Sequence, residues 1–132
     1  MLRIVFFPKF KNDNSVLLAA DTEGVHVLLD AIAKAAANPG AAVPLHELAR
    51  VSAKHPASLY VAVNAKAVCS APANTYYLDV SGNARLDVVG LLKPLLESPR
   101  GHQFFDLKPK PTVLVVSVGE YDGSWWDRME TL

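Results

Sequence analysis

Ser15–Leu48 has the sequence SVLLAADTEGVHVLLDAIAKAAANPGAAVPLHEL, and Thr75–Leu107 has the sequence TYYLDVSGNARLDVVGLLKPLLESPRGHQFFDL. At an offset of 60 residues, both stretches place an apolar run, a helix-like apolar stripe and a second apolar run in the same order. Five residues then drop out, and Ser58–Val63 aligns with Val113–Val118. Few residues are identical, so the match is one of pattern. It predicts that one structural unit occurs twice in the chain.

The first copy has the pattern of a βαββ unit. Val16–Ala20 is an apolar run typical of a strand, and Asp21 or Thr22 can cap a helix that is expected to extend to about Ala37. An apolar stripe at helical spacing predicts the buried face of this helix: Val25, Leu28, Leu29, Ile32, Ala35 and Ala36. The opposite, solvated face carries His26, Asp30 and Lys34. Two further strands are expected over Val43–Leu48 and Leu59–Val63.

The second copy follows the same plan. Tyr76–Val80 is predicted to be a strand, and the helix is expected over about Ala84–Leu96. Pro94 lacks a backbone N–H and collides with the carbonyl of Gly90, so we expect a kink or a restart of the helix there. The unit ends in a predicted hairpin of the strands His102–Leu107 and Val113–Val118. The solvated linker Lys108–Pro111 joins them.

Together these patterns predict an α+β protein in which two βαββ pseudo-repeats form one mostly antiparallel sheet, with two helices on one face. An N-terminal strand, Leu2–Phe7, is expected to end at Pro8 and can form a hairpin with the next strand. We expect a single domain over residues 1–132, with units at about 15–63 and 75–118 and a C-terminal tail over 119–132. The second face of the sheet must then be wet, capped by the tail or buried against another molecule.

Composition and charge exclude several classes of protein. The chain has 132 residues, of which 51% are hydrophobic, and this fits a compact globule rather than a disordered chain. Its 13 basic and 13 acidic residues give a formal net charge of zero. General binders of nucleic acids or of anionic membranes carry a basic excess, so we expect neither kind of partner.

The lone cysteine and the hydropathy pattern bear on the compartment. Cys69 cannot form an internal disulfide, and it is expected to be a small buried hydrophobe. The apolar run at the N-terminus is too short for a secretory signal, and no stretch approaches the ~20 apolar residues needed to span a bilayer. These features favour a cytoplasmic protein.

No motif in the sequence predicts catalysis. There is no phosphate-binding glycine loop and no Gly-x-Ser-x-Gly, and the four histidines form no metal-binding pair. We therefore expect no catalytic residues, no metal and no cofactor. His46 and His102 fall near matching strand positions in the two units. They are either polar residues on half-exposed strands or the two sides of a ligand site.

The tail contains the most distinctive aromatic group. Trp125 and Trp126 are expected in a short terminal helix that follows a turn at Tyr121. Neighbouring helical residues point about 100° apart, so at least one tryptophan is expected to be in the core. Because tryptophan is enriched at the energetic centres of protein interfaces, these three residues are the candidate contacts for a partner.

The first unit contains Glu23-Gly24 followed by Leu28-Leu29, then Leu45-His46-Glu47-Leu48 and then Ser58–Val63. This order resembles some small bacterial immunity proteins of polymorphic toxin systems, which have a helix opening with glycine, a strand carrying histidine and an apolar strand led by Ser-Leu. The resemblance covers about Val16–Val63, and the second unit departs from it, with Ala84 in place of Gly24. It implies a cytoplasmic α+β protein that binds and blocks a cognate toxin without catalysis.

Three functional hypotheses follow. The first is a non-catalytic immunity protein that occludes a cognate protein toxin. The second is a small-ligand-binding or enzymatic domain with a pocket between the two halves, around His46 and His102. The third is a structural homodimer that hides its spare sheet face in itself.

Overall fold

A computed structural model describes residues 1–10, 13–63, 73–109, 111–121 and 123–131. These residues form eight strands and three α-helices, which confirms the α+β class. In chain order the elements are β1 (Leu2–Phe10), β2 (Asp13–Ala20), α1 (Thr22–Ala37), β3 (Val43–Pro44), β4 (Arg50–Val51), β5 (Ser58–Ala62), β6 (Thr75–Asp79), α2 (Asn83–Leu92), β7 (Gly101–Asp106), β8 (Val113–Val118) and α3 (Gly123–Thr131). Two 3₁₀ turns, Leu45–Glu47 and Lys93–Leu96, complete the secondary structure of the described residues.

The strands form two mixed sheets. One has the strand order β4-β1-β2-β8-β7, and the other has the order β3-β5-β6. The pairs β1–β2, β3–β5 and β7–β8 are antiparallel, whereas β1–β4, β2–β8 and β5–β6 are parallel. The prediction of one mostly antiparallel sheet is therefore wrong. Alternation of apolar residues shows which face of a strand is buried, but it does not choose the neighbouring strand or its direction.

Strand β1 is longer than the sequence predicts. It pairs with β2 from Leu2 to Phe7, and its register then shifts before Phe10 pairs with Asp13. Proline cannot donate a hydrogen bond to a β-ladder, and a proline within a strand is therefore often found at a bulge. Pro8 therefore lies at the irregularity in the pairing and not at the end of the strand.

Helix α1 confirms the predicted cap and most of the predicted buried stripe, whose Leu29 and Ala36 are only half-buried. The Asp21 carboxylate accepts a hydrogen bond of 2.8 Å from the backbone N–H of Gly24, which satisfies a free donor of the first turn. The α-ammonium of Met1 also lies 2.9 Å from the Asp21 carboxylate. The hydrogen bond to this ammonium, followed by that to the Gly24 amide, lowers the pKa of Asp21. The buried residues of the helix are Gly24, Val25, Leu28, Ala31, Ile32 and Ala35.

Helix α2 confirms the predicted effect of Pro94. The α-helical segment ends at Leu92, and the chain continues as the 3₁₀ turn Lys93–Leu96 with Pro94 in its first turn. A proline at the start of a helical segment has no donor to lose. The restart keeps Leu95 buried and lets this segment pack beside α1.

One large core joins the two sheets with α1 and α2. It contains alternate residues of the five-stranded sheet, such as Ile4 and Leu18, and buried residues of both helices and of β5 and β6. The rings of Phe6 and Tyr76 stack with their centroids 6.0 Å apart, which links β1 to β6. A backbone bridge between Tyr77 and Lys108 joins β6 to the residues after β7.

Helix α3 covers the other face of the five-stranded sheet. Trp126 is 1% exposed and packs with Val5, Leu17 and Val115, which alternate with the residues of the larger core. The guanidinium of Arg3 lies 5.3 Å from the centre of the Trp126 ring, within the range of a cation–π contact. Of the three arrangements expected for this face, capping by the tail is the one observed.

The predicted strand over Val43–Leu48 is mostly wrong. Only Val43 and Pro44 pair with β5, and the chain then turns through Leu45–Glu47. The turn buries the Leu45 side chain completely. His46 therefore lies in a 3₁₀ turn and not on a strand, whereas His102 lies on β7 as predicted.

The two helical glycines are expected to respond oppositely to alanine. A Cβ at Gly24 would overlap the backbone carbonyl oxygen of Met1, so Gly24→Ala is expected to lower the free energy of unfolding by about 1–3 kcal/mol. A Cβ at Gly90 would meet nothing within 4 Å, so Gly90→Ala is expected to raise it by about 0.5–1 kcal/mol. Urea denaturation measures both changes, and equal effects at the two sites would contradict the packing at Gly24.

The indole of Trp126 gives a second stability test. Trp126→Ala removes the centre of the smaller core and is expected to cost about 3–5 kcal/mol. Its buried Nε1–H has no hydrogen-bond partner among the described residues, so Trp126→Phe removes an unsatisfied donor and is expected to cost about 1 kcal/mol or less. Thermal and urea unfolding measure both variants. Equal destabilisation by Phe and Ala would show that the indole nitrogen is satisfied.

Candidate functional site

Exposed apolar side chains concentrate on α2 and β7. The large hydrophobic residues with high exposure in the described part of the chain are Met1, Leu48, Leu86, Leu91 and Phe104. Leu86 and Leu91 lie on α2 and are 70% and 42% exposed, and Phe104 lies on β7 and is 46% exposed. Solvent-exposed leucine on two sides of one short helix leaves a hydrophobic surface without cover.

A groove separates α2 from β7. It encloses a cavity of about 410 Å³, which falls in the size range of ligand pockets. Asp87 and Val88 of α2 form one wall, and Phe104, Phe105 and Asp106 of β7 form part of the other. The remaining lining residues are Leu78, Asp79, Leu107 and Lys108. We call this feature the α2–β7 groove.

Lys108 fixes one end of the groove. Its ammonium lies 2.8 Å from the carboxylate of Asp79, and its backbone exchanges hydrogen bonds of 2.8 and 2.9 Å with Tyr77. Burial opposes ionisation of Asp79, but hydrogen bonds from Lys108 and Ser81 outweigh it and lower the pKa of this carboxyl. The residue expected in a solvated linker therefore joins the end of β7 to β6.

The groove has a negative charge surplus. Three carboxylates line it, and only that of Asp79 has an ion-pair partner among the described residues. Asp87 and Asp106 are exposed and lie on opposite walls. The neutral total charge of the chain therefore conceals a local acidic site beside exposed apolar side chains.

The aromatic residues predicted to contact a partner form one group. Tyr121 and Trp125 have ring centroids 4.5 Å apart, and Trp125 also lies 5.9 Å from Phe7. Both are half-buried, whereas Trp126 is buried between α3 and the five-stranded sheet. Burial raises the pKa of Tyr121, and the nearby Glu120 charge raises it further. Contact between Trp126 and a partner would require α3 to move, and the role of all three residues stays a prediction.

His46 is held by the backbone of β5. Its Nδ1 lies 3.2 Å from the N–H of Leu59 and 3.1 Å from the Leu59 carbonyl oxygen, and the imidazole meets the ring of Tyr60 edge-on. The side chain also lines a cavity of about 300 Å³ with Val51 and Ser58 among its walls. These contacts give His46 a structural role at the edge of the smaller sheet.

His102 belongs to a different group of contacts. Its Nδ1 lies 3.1 Å from the carboxylate of Glu120, which also accepts a hydrogen bond from the buried hydroxyl of Ser117. Burial opposes ionisation of Glu120, but the hydrogen bonds from Ser117 and His102 prevail and lower its pKa. His46 and His102 do not contact each other, and a ligand site shared by them stays a prediction.

The described residues contain no group of three or more His, Cys, Asp or Glu side chains that could hold a metal ion. Cys69, which is expected to be a small buried hydrophobe, lies outside the described residues. Each helix in the described ranges is too short or too polar to cross a membrane.

No family model, no curated protein and no solved structure matches the chain. The site must therefore be interpreted from its own chemistry.

Sequence reasoning missed the α2–β7 groove. One signal was present, because the offset of 60 aligns Leu86 with His26 and Gly90 with Asp30. The polar face identified on the first helix is thus lost on the second. The position of β7 beside this face could not be read in the same way, because it depends on the tertiary arrangement of the sheets.

The Asp79–Lys108 ion pair predicts a pH dependence of stability. Because the folded-state pKa of Asp79 lies below the ordinary value of 3.8, the carboxylate stabilises the fold above that value. This contribution is lost as the pH falls through the lowered folded-state pKa. Asp79→Asn is therefore expected to reduce the urea midpoint near pH 7 and to change it much less near pH 2.

The control for this experiment is Asp30→Asn, which removes an exposed carboxylate from α1. We expect its urea midpoint to follow that of the parent protein across the same pH range. A loss of stability in Asp79→Asn that is the same at every pH would contradict the assignment to the ion pair.

Proposed function

We propose that this chain is a non-catalytic protein-binding module, an immunity protein that binds a cognate bacterial toxin in the cytoplasm and occludes it. The observation that carries the proposal is the exposed apolar surface of Leu86, Leu91 and Phe104. Exposed apolar side chains of this kind, beside polar ones, are typical of sites where another protein binds.

We also propose that the two units are pseudo-equivalent, and their strand registers support this. Ser15 pairs with Val113 in β2–β8, and Thr75 pairs with Ser58 in β6–β5. The offset of 60 aligns Ser15 with Thr75, and the offset of 55 aligns Ser58 with Val113, so the two pairs are equivalent. In the same way, the two offsets align the Val43–Val61 pair of β3–β5 with the Gln103–Val116 pair of β7–β8.

This equivalence makes α1 an internal reference for α2. The first helix exposes His26, Asp30 and Lys34, and the aligned positions of the second unit are Leu86, Gly90 and Pro94. On the inner side the match is conservative, with Leu28 and Ile32 aligned to Val88 and Leu92, all four buried. The second helix thus differs from the first on its exposed side, where packing within the chain does not require apolar residues. This difference favours a binding role for that side.

Occlusion is the mechanism that this surface supports. A standard protein interface buries about 800 Å² on each partner, and its energy comes mainly from a few residues near its centre. Leu86, Leu91 and Phe104 supply exposed apolar side chains on a helix and a neighbouring strand. A toxin covered there would lose access to its substrate without any chemical step on the part of this protein.

The other two hypotheses have less support. The homodimer was inferred from a spare face of the sheet, and α3 already covers that face around Trp126. The ligand pocket between the halves requires a joint site of His46 and His102, which contact different residues.

The proposal predicts a toxic partner that this chain neutralises. The tagged protein is purified from its native host, and each co-purified protein is identified by mass spectrometry and expressed alone in a second bacterium. We expect one of them to stop growth, and co-expression of this chain to restore it. Leu86→Glu is expected to weaken the complex at least about tenfold, because it places a charge at an apolar anchor.

The matched control is His26→Glu, the same change at the aligned position of α1. We expect it to bind and to neutralise the toxin as the parent does. Equal affinity of both variants would move the interface away from α2. If every co-purified protein is harmless when expressed alone, the chain is not an immunity protein.

A further inference from the structure

We propose that the α2–β7 groove takes a basic, apolar segment of a partner protein, with Lys or Arg side chains directed to Asp87 and Asp106 and apolar side chains against Phe104 and Leu91. The inference deepens the proposed function, on which it rests, by naming the chemistry of the bound segment.

The charges of the groove specify a cation. Asp87 and Asp106 lie on opposite walls, and neither has an ion-pair partner among the described residues, whereas Asp79 is neutralised by Lys108. An anionic partner would add a third negative charge between two carboxylates. A guanidinium or an ammonium group would instead form charge-assisted hydrogen bonds with either wall.

The apolar side chains specify that the cation belongs to a larger segment. Phe104 is 46% exposed on the same wall as Asp106, so part of its side chain is accessible to an apolar residue of the segment. Leu91 lies one helical turn from Asp87, so it flanks the acidic wall. An isolated inorganic cation would leave these apolar side chains exposed to water, whereas a peptide with apolar and basic residues would cover them.

The size and position of the groove fit such a segment. Its volume of about 410 Å³ accommodates side chains and not a folded domain. The first unit offers no equivalent, because the counterpart of β7 is the two-residue strand β3 and the aligned positions of Asp87 and Leu91 are Val27 and Ala31. The groove is therefore a feature of the second unit alone in the described structure.

Two defined peptides test this proposal without the toxin. Both are blocked at their ends and contain two leucines among serines, and one carries two arginines where the other carries two glutamates. Each is titrated into the isotopically labelled full chain, and amide chemical shifts are followed by NMR. The arginine peptide is expected to shift amides of residues 86–92 and 101–107 in a saturable way, and the glutamate peptide is expected to leave them unchanged.

A charge-matched pair of variants separates the groove from general attraction. Asp87→Asn with Asp106→Asn is expected to weaken the arginine peptide about tenfold, because each carboxylate accepts a charge-assisted hydrogen bond. Glu23→Gln with Asp30→Asn removes the same charge from the exposed side of α1 and is expected to leave the affinity unchanged.

The outcomes distinguish this inference from the proposed function. Shifts confined to the groove, lost only in the Asp87 and Asp106 variant, support it. The inference is overturned if the shifts do not saturate or lie outside the groove. It is also overturned if the glutamate peptide binds equally well, or if both variants lose the same affinity for the arginine peptide. These failures would leave toxin neutralisation standing, whereas a harmless set of co-purified proteins would remove the immunity function and leave the groove.

Discussion

The structure depends on the parallel pairing of β2 with β8 at the centre of the larger sheet. Six consecutive pairs join these strands, and every residue of Ser15–Ala20 is buried. Strands buried on both faces need cover on both sides. The helices α1 and α2 and the smaller sheet cover one face, and α3 covers the other through Trp126. The terminal helix is therefore a structural requirement of the centre of the sheet.

Local signals in the sequence were sufficient for most elements and insufficient for their arrangement. The stripe from Val25 to Ala35 and the cap at Asp21 predict α1 because both depend on residues within one or two turns. Pro94 likewise acts on its own turn. The parallel β2–β8 pair joins residues far apart in sequence, and only the buried core selects that partner. Leu45 shows the same limit, since its burial turns a predicted strand into a 3₁₀ turn.

The candidate site was only partly accessible to the same reasoning. The contrast between His26 and Leu86 is visible in the aligned units, because each residue lies on the outer side of its helix. The pairing of Asp87 with Asp106 across a groove is not visible, because it follows from where β7 lies relative to α2. Trp126 is a different case. Its residue type makes it a candidate for a partner contact, while its burial agrees with the expectation that at least one of the two tryptophans lies in the core.

If the proposed basic segment binds in the groove, the distribution of charge explains how a neutral chain recognises it. At physiological ionic strength exposed charges are screened within about 8 Å, so a partner responds to the groove and not to the total charge. The carboxylates of Asp87 and Asp106 then favour encounter in one orientation, while Leu86, Leu91 and Phe104 supply area removed from water. The polar outer side of α1 offers neither contribution. In the proposed complex, affinity and orientation thus come from α2 and β7, which together place apolar side chains beside carboxylates that have no ion-pair partner among the described residues.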